Sequence, residues 1–271
     1  MNLGTHPFRA ALAVAAAGCL IAGVAQPATA APPDAVPTGV PQLEALDRGL
    51  VAVSTSEGVF LSWRLLASEA TGATDTGLAG PDFAVYRDGA QIAVVTDSTN
   101  YADAAGSATA QYTVAPVVNG VELEASAPVS AWAEGYYDLP LRKPADGVSP
   151  KSVAFPDGQP YTYSANDVSV GDVDGDGAYE FVVKWDPSNS QDVSIKGYTG
   201  PVYIDTYELD GTLLNRLDLG KNIRAGAHYT QFLVYDFDGD GRSETMLKTA
   251  PGTKSITYGA DGTVASFSPS R

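Results

Sequence analysis

Cysteine is nearly absent: Cys19 is the only one in 271 residues. It stands in a leader-like segment, so the mature chain would hold no thiol and no disulfide. An exported protein of that kind is left with packing and bound metal as its staples. Positive charge is scarce too, with 16 basic against 32 acidic residues and a net charge of −16. Nucleic-acid phosphates need a basic surface, so that class of partner is excluded; a surface of this sign draws cations instead. Methionine occurs twice, and no stretch keeps the 3.6-residue apolar period of a long amphipathic helix. Gly, Pro, Tyr and Val are plentiful, as turns and strands require. The expected fold class is all-β.

The long apolar run comes first. "MNLGTHPFR" carries one positive charge, Arg9, ahead of "AALAVAAAGCLIAGVA", and "ATA" ends at Ala30. This is the pattern of a secretory signal over residues 1–30, cut after Ala30. The run is short for a bilayer span, and Ala16, three before Cys19, stands where a lipid-anchor motif has Leu. The expectation is a secreted, extracellular protein with no membrane attachment after cleavage. Residues 31–42, "APPDAVPTGVPQ", follow as an extended Pro-rich linker.

Residues 43–133 read as short strands. "GLVAVST" and "GVFLSWRL" alternate and are parted by Ser56 and Glu57; "DFAVYRDGAQIAVVTD" turns at Asp88-Gly89, and "QYTVAPVVNGVE" at Asn119-Gly120. Such dipeptides tolerate the positive φ of a tight hairpin. Several strands with turns at this spacing predict a β-sandwich. Trp63, "FAVYRDG", "TNYAD" and "QYTVAPVVNGVE" resemble a fibronectin type III module, with Trp63 and Tyr112 as core aromatics.

From 134 to 271 the texture changes. After the connector "GYYDLPLRKPADG", two segments align at one constant offset of 64 residues: "DVSVGDVDGDGAYEFVVKWDP" (167–187) and "QFLVYDFDGDGRSETMLKTAP" (231–251). Each is an alternating strand, an acidic turn, a second strand, a Lys and a Pro. "PVYIDTYELDGTLLNRLDLG" between them turns at Asp210-Gly211. A strand-rich unit recurring at about blade length predicts two successive blades of a β-propeller.

The acidic turns have the spacing of a cation loop. In the first, Asp172, Asp174 and Asp176 take positions 1, 3 and 5, the Ala178 carbonyl position 7 and Glu180 position 9. In the second these are Asp236, Asp238, Asp240, the Arg242 carbonyl and Glu244. Alternate residues of a tight loop aim their oxygens at one centre, and Ca²⁺ takes roughly six to eight such oxygens. An EF-hand is excluded, because position 12 is Val183 or Leu247 instead of Glu, and the flanks alternate as strands. Mg²⁺ prefers a stricter octahedron that keeps waters. Both turns are expected to hold structural calcium.

Taken together, "LEALDRGLVAV", "YYDLPLRKPADG", "YTYSANDVSVGDVDGDGAYEFVVKWDPSNSQD", "GYTGPVYIDTYELDGT" and "LGKNIRAGAHYTQFLVYDFDGDGRSE" resemble polysaccharide lyase family 11, the rhamnogalacturonan lyases, from about Leu43 to Thr253. The resemblance implies a small N-terminal β-domain and an eight-bladed, calcium-rich propeller. It also implies β-elimination at galacturonate in the rhamnogalacturonan I backbone of pectin. An eight-bladed propeller needs far more chain than remains after residue 150. The expectation is therefore an N-terminal portion, monomeric, whose proton-abstracting base lies beyond its C-terminus.

Asn166 and Asp186 sit at paired ends of the first acidic hairpin, away from its turn; Asn166 is a candidate donor to a sugar hydroxyl, and Asp186 a candidate to hold a cation or a sugar hydroxyl. Thr230 and Ala250 hold those positions in the second copy. Arg224 and His228, in "IRAGAHYTQF", are further substrate-contact candidates. Lys184 and His228 are the candidate bases within the chain, although Lys184 is expected first as a salt bridge to the acidic cluster. Two other functions compete with the lyase: a non-catalytic calcium propeller used for carbohydrate binding or adhesion, and a purely structural secreted β-protein.

Overall fold

The computed structural model describes residues 46–269 apart from Thr76, Val193 and residues 227–229. The predicted leader, the Pro-rich linker and His228 lie outside the described residues. The chain is all-β, as its composition requires. Among the described residues no helix is long and apolar enough to cross a membrane.

The first region is two sheets around one core. Val51–Thr55, Gly58–Ser62 and Asn100–Asp103 form a three-stranded sheet. Asp82–Arg87, Ala90–Val95, Gln111–Val118 and Val129–Ser130 form the other, with Val121–Glu122 as a short addition. Strand alternation aims Ala52, Val59 and Leu61 from one sheet at Phe83, Val85 and Val114 from the other. Trp63 packs edge-on against Phe83 at 5.5 Å, so Trp63 and Tyr112 are core residues as expected. The two hairpin turns take the conformation their residues favour: φ is 52° at both Asp88 and Asn119, and 79° and 78° at the glycines that follow. One carboxylate is buried here. Asp103 accepts two hydrogen bonds from Arg87 at 2.7 and 2.8 Å, one from the Tyr112 hydroxyl at 2.9 Å and one from Ala105 N at 3.1 Å. Burial, and then the hydrogen bond to Asp103, pushes the Tyr112 hydroxyl up to about 12.

The second region is one six-stranded antiparallel sheet. Its spatial order is Tyr163–Gly171, Glu180–Pro187, Tyr203–Tyr207, Leu213–Asp218, Lys254–Tyr258, Val264–Pro269. The first four strands are consecutive in the chain. Among the described residues, the second acidic hairpin, Phe232–Tyr235 with Glu244–Leu247, pairs only with itself. An isolated two-stranded hairpin is marginal in water. This one buries Phe232, Val234 and Leu247 on a sheet face that presents Val182, Ile204, Leu219 and Ile223.

The opposite face packs Val183, Tyr207 and Leu213 under Leu139 and Leu141 of the connector. Asp205, fully buried, fastens that connector. It accepts from Trp185 Nε1 at 2.8 Å, from the Tyr207 hydroxyl at 2.7 Å and from Arg216 at 2.6 and 2.7 Å, while Arg216 also donates to the Arg142 carbonyl. The sequence predicts two equivalent blade-like units. The structure has one extended sheet and a separate hairpin, because Lys254–Tyr258 pairs with Leu213–Asp218 on one side and with Val264–Pro269 on the other, and not with the second acidic hairpin. Asn215 helps to fix that pairing through bonds to Ser255 and the Ile256 carbonyl.

Candidate functional site

The two acidic turns fold alike at the backbone. Asp172 accepts from Gly175 N and Gly177 N at 2.7 and 3.1 Å; Asp236 accepts from Gly239 N and Gly241 N at 2.6 and 3.0 Å. Gly177 and Gly241 both have φ near the left-handed region, at 93° and 94°, which explains glycine at position 6. Asp172, Asp174 and Glu180 bring ligand oxygens within 4.8 Å of one another, and so do Asp236, Asp238 and Glu244. Asp176 and Asp240 are outside these groups; each caps its own turn by accepting from the backbone N–H of Ala178 or Arg242.

The first turn passes a stricter test of fit to a cation. Asp172 and Glu180 are fully buried. Glu180 Oε2 accepts from Val173 N at 2.6 Å, whereas the buried Oε1 has no hydrogen-bond partner. Burial pushes the Glu180 carboxyl up to about 7 against the lowering effect of those backbone bonds, and the nearby Asp174 and Glu208 charges push the same way. Buried carboxylate oxygens facing each other without compensation are costly. A hard divalent cation at their centre removes that cost. The second turn is less demanding, since Asp236 is half-buried and Asp238 exposed.

The turns also touch. Ser243 N donates to the Asp172 carbonyl at 2.7 Å, and the Arg242 guanidinium donates to the Asp174 carbonyl. The sandwich reaches the first turn as well: Asp47 N donates to the Gly177 carbonyl at 2.7 Å, and Arg64 lies 4.3 Å from the Tyr179 ring centre.

A second feature opens at the other end of the first acidic hairpin. A cleft of about 380 Å³ is lined by Asn166, Asp167, Lys184, Asp186, Ser190, Gln191, Asp192 and Gly226. The candidates Asn166 and Asp186 meet here as predicted. Arg224 stands behind the cleft, donating to Gln191 Oε1 at 3.0 Å. Lys184 differs from expectation. It does not bridge to the acidic turn, from which about 13 Å of extended strand separates it. Its ammonium lies 2.6 Å from Asp167 Oδ2 and 3.8 Å from Asp186 Oδ2, and it is 3 % exposed. Sequence reasoning missed Asp167 and the 190–192 loop. The signal that places Asp167 is a bulge: pairing runs from Ala165↔Trp185 to Val168↔Val183, so Asn166 and Asp167 together oppose Lys184.

Both regions match family models. The C-terminal domain of rhamnogalacturonan lyase family 11 matches residues 136–265, and the β-sheet domain of rhamnogalacturonan I lyases matches residues 41–132. These matches fit a partial chain of rhamnogalacturonan lyase family 11. The chain is 58% identical over 217 residues to the rhamnogalacturonan endolyase YesW of Bacillus subtilis (strain 168), covering 80% of this chain and 33% of that protein. It is 52% identical over 214 residues to the rhamnogalacturonan exolyase YesX of the same strain, covering 78% and 33%. Among solved structures, the rhamnogalacturonan lyase YesW superposes with a TM-score of 0.70 at 54% identity over 84% of this chain and 36% of that one. The Bacillus licheniformis lyase gives 0.69 at 54% identity over 83% and 36%. The chain thus spans about a third of the length of the curated relatives it matches.

Proposed function

We propose that this chain is the N-terminal portion of a secreted rhamnogalacturonan lyase that acts on the rhamnogalacturonan I backbone of pectin by β-elimination at galacturonate. The observation that carries this reading is the match of two lyase family models in chain order across residues 41–132 and 136–265. In this reading residues 1–30 are the cleaved signal and 31–42 a linker. Residues 43–133 form a fibronectin type III-like sandwich, and 134–271 the first part of a calcium-binding propeller. Asp172, Asp174 and Glu180, with Asp236, Asp238 and Glu244, hold Ca²⁺, which supplies charge neutralisation at the turns when bound. Asn166 and Asp186 meet sugar hydroxyls in the cleft, with Arg224 supporting its wall.

The chain's share of the work is to bind and orient. β-Elimination needs a base at C5 of galacturonate and a group that neutralises its carboxylate. Lys184 is clamped in place: its ammonium stands between Asp167 and Asp186, 2.6 and 3.8 Å from their carboxylates. A non-catalytic carbohydrate-binding role is the second reading, favoured by this clamped Lys184. Ultraviolet absorbance of the unsaturated product separates the possibilities. Purified residues 31–271 with calcium and rhamnogalacturonan I should bind the polymer and produce little absorbance. A strong signal abolished by H228A or K184M would place the base inside this chain and overturn the division of labour; no binding would remove the lyase reading.

A further inference from the structure

The buried lysine of the cleft has a job that its repeat partner lacks. Lys184 and Lys248 stand at the same position in the two acidic hairpins, yet Lys184 is buried and Lys248 exposed. The neighbours differ in step: Asp167 and Asp186 flank the first lysine, Gln231 and Ala250 stand at those places around the second. The burial is therefore not a requirement of the repeat. It belongs to the cleft.

The geometry within the cleft is asymmetric. Asp186 turns Oδ2 toward Lys184 at 3.8 Å, while its other oxygen, Oδ1, is buried without a hydrogen-bond partner. A buried carboxylate oxygen left without a donor is costly in the free protein, and a ligand hydroxyl entering the cleft would satisfy it. The bulge at Asn166–Asp167 brings a second carboxylate to the same ammonium at 2.6 Å. Asp167 is mostly exposed, with 63% of its side-chain surface open, whereas Asp186 has 17%. One lysine thus divides its charge between a solvated carboxylate and a shielded one.

We propose that Lys184 is a positioning residue: it holds Asp186 ionised and rotated so that Oδ1 accepts a sugar hydroxyl, and Asp167 tunes how much of the lysine's charge Asp186 receives. The sugar-contact half of this statement rests on the lyase reading above; the control of Asp186 by Lys184 does not. The charged groups around Asp186 are Lys184 on its own strand, Asp167 on the opposing strand, Asp192 on the following loop, and Arg224, which reaches the cleft wall through Gln191. Burial raises the Asp186 carboxyl above its ordinary range, the Lys184 charge lowers it, and the Asp167 charge raises it. Removing Lys184 therefore moves Asp186 upward, and removing the Asp167 charge moves it downward. A lysine that merely filled space would give neither shift, and a nonspecific disturbance would not give opposite signs.

The experiment is a carbon-13 NMR titration of the Asp186 carboxyl in wild type, K184M, K184R and D167N, paired with calorimetric binding of a rhamnogalacturonan I oligosaccharide across pH. K184M should move the Asp186 midpoint up by about one to three pH units. It should raise by the same interval the pH below which the oligosaccharide is released. D167N should move both down, and K184R should stay near wild type. Because Asp167 is exposed, D167N tests the proposal even where K184M fails to fold. An Asp186 midpoint that moves in neither variant overturns the control of Asp186 by Lys184. Wild-type binding that K184M leaves unchanged at every pH overturns the contact through Oδ1. Wild type that binds no oligosaccharide, while the midpoints still shift in opposite directions, counts against the lyase reading and leaves the lysine–aspartate control standing.

Discussion

The first and second acidic hairpins share their spacing, their glycine conformations and their turn hydrogen bonds, yet they are different sites. Asp172 and Glu180 are fully buried, with one carboxylate oxygen lacking a partner, whereas Asp236 is half-buried and Asp238 exposed. The contrast comes from what surrounds each turn. The first joins the edge strand of the six-stranded sheet to its neighbour, is touched by Asp47 and Arg64 from the sandwich, and receives Ser243 and Arg242 from the second hairpin. The second belongs to a two-stranded hairpin packed on one face of that sheet. Nine residues of sequence specify the shape of a cation loop; the packing around it determines how much folding depends on the cation. The opposite ends differ too, since Asn166 and Asp186 line the cleft at the first hairpin, whereas Thr230 and Ala250 hold those places in the second.

Calcium removal should have the largest effect. Chelation should lower the melting temperature, with a loss of about 3 kcal/mol relative to protein at a hundredfold excess of calcium over its dissociation constant. D172A should remove most of the calcium-dependent shift and D236A a minor part. Equal effects of the two substitutions would erase the distinction between the turns. Hydrogen exchange on the intact chain sharpens the point: chelator should deprotect Glu180–Pro187 amides and leave Gln111–Val118 unchanged, because the sandwich core has no acidic turn.

The next effect is at the lysines. Breaking a buried ion pair commonly costs 3–5 kcal/mol. The exposure of Asp167 reduces the expectation for K184M to about 2 kcal/mol in urea unfolding. K248M, at an exposed position, should stay within about 0.5 kcal/mol of wild type. A comparable loss in both would mean that the repeat, and not the cleft, sets the role of Lys184.

R242A should have a smaller effect on stability, about 1 kcal/mol, because one guanidinium bond to the Asp174 carbonyl is lost at an exposed place. Its informative readout is calcium affinity at the first turn, which should fall although Arg242 belongs to the second. Unchanged affinity at the first turn would show that the contact between turns carries no coupling.

Much of the fold can be read from the sequence because its cues are local. Asp88-Gly89 and Asn119-Gly120 dictate hairpins through backbone conformation alone, and strand alternation puts Trp63 and Tyr112 inside. The meeting of Asn166 and Asp186 follows from antiparallel pairing. Three features are not local. The bulge that delivers Asp167 depends on the cleft it serves. The partner of Lys184 depends on which end of a strand is nearer, a distance of about 13 Å that periodicity ignores. The pairing of Lys254–Tyr258 with Leu213–Asp218 depends on a competition between sheet edges that no short segment records.

The most direct test of the whole reading is chemical-shift mapping of a rhamnogalacturonan I oligosaccharide on the isotope-labelled, calcium-loaded chain. The expected result is a set of perturbations confined to the cleft, at 164–168, 184–192 and 224–226, lost in D186A. Perturbations centred on the second acidic hairpin or on the sandwich, or none at any oligosaccharide concentration, would contradict it.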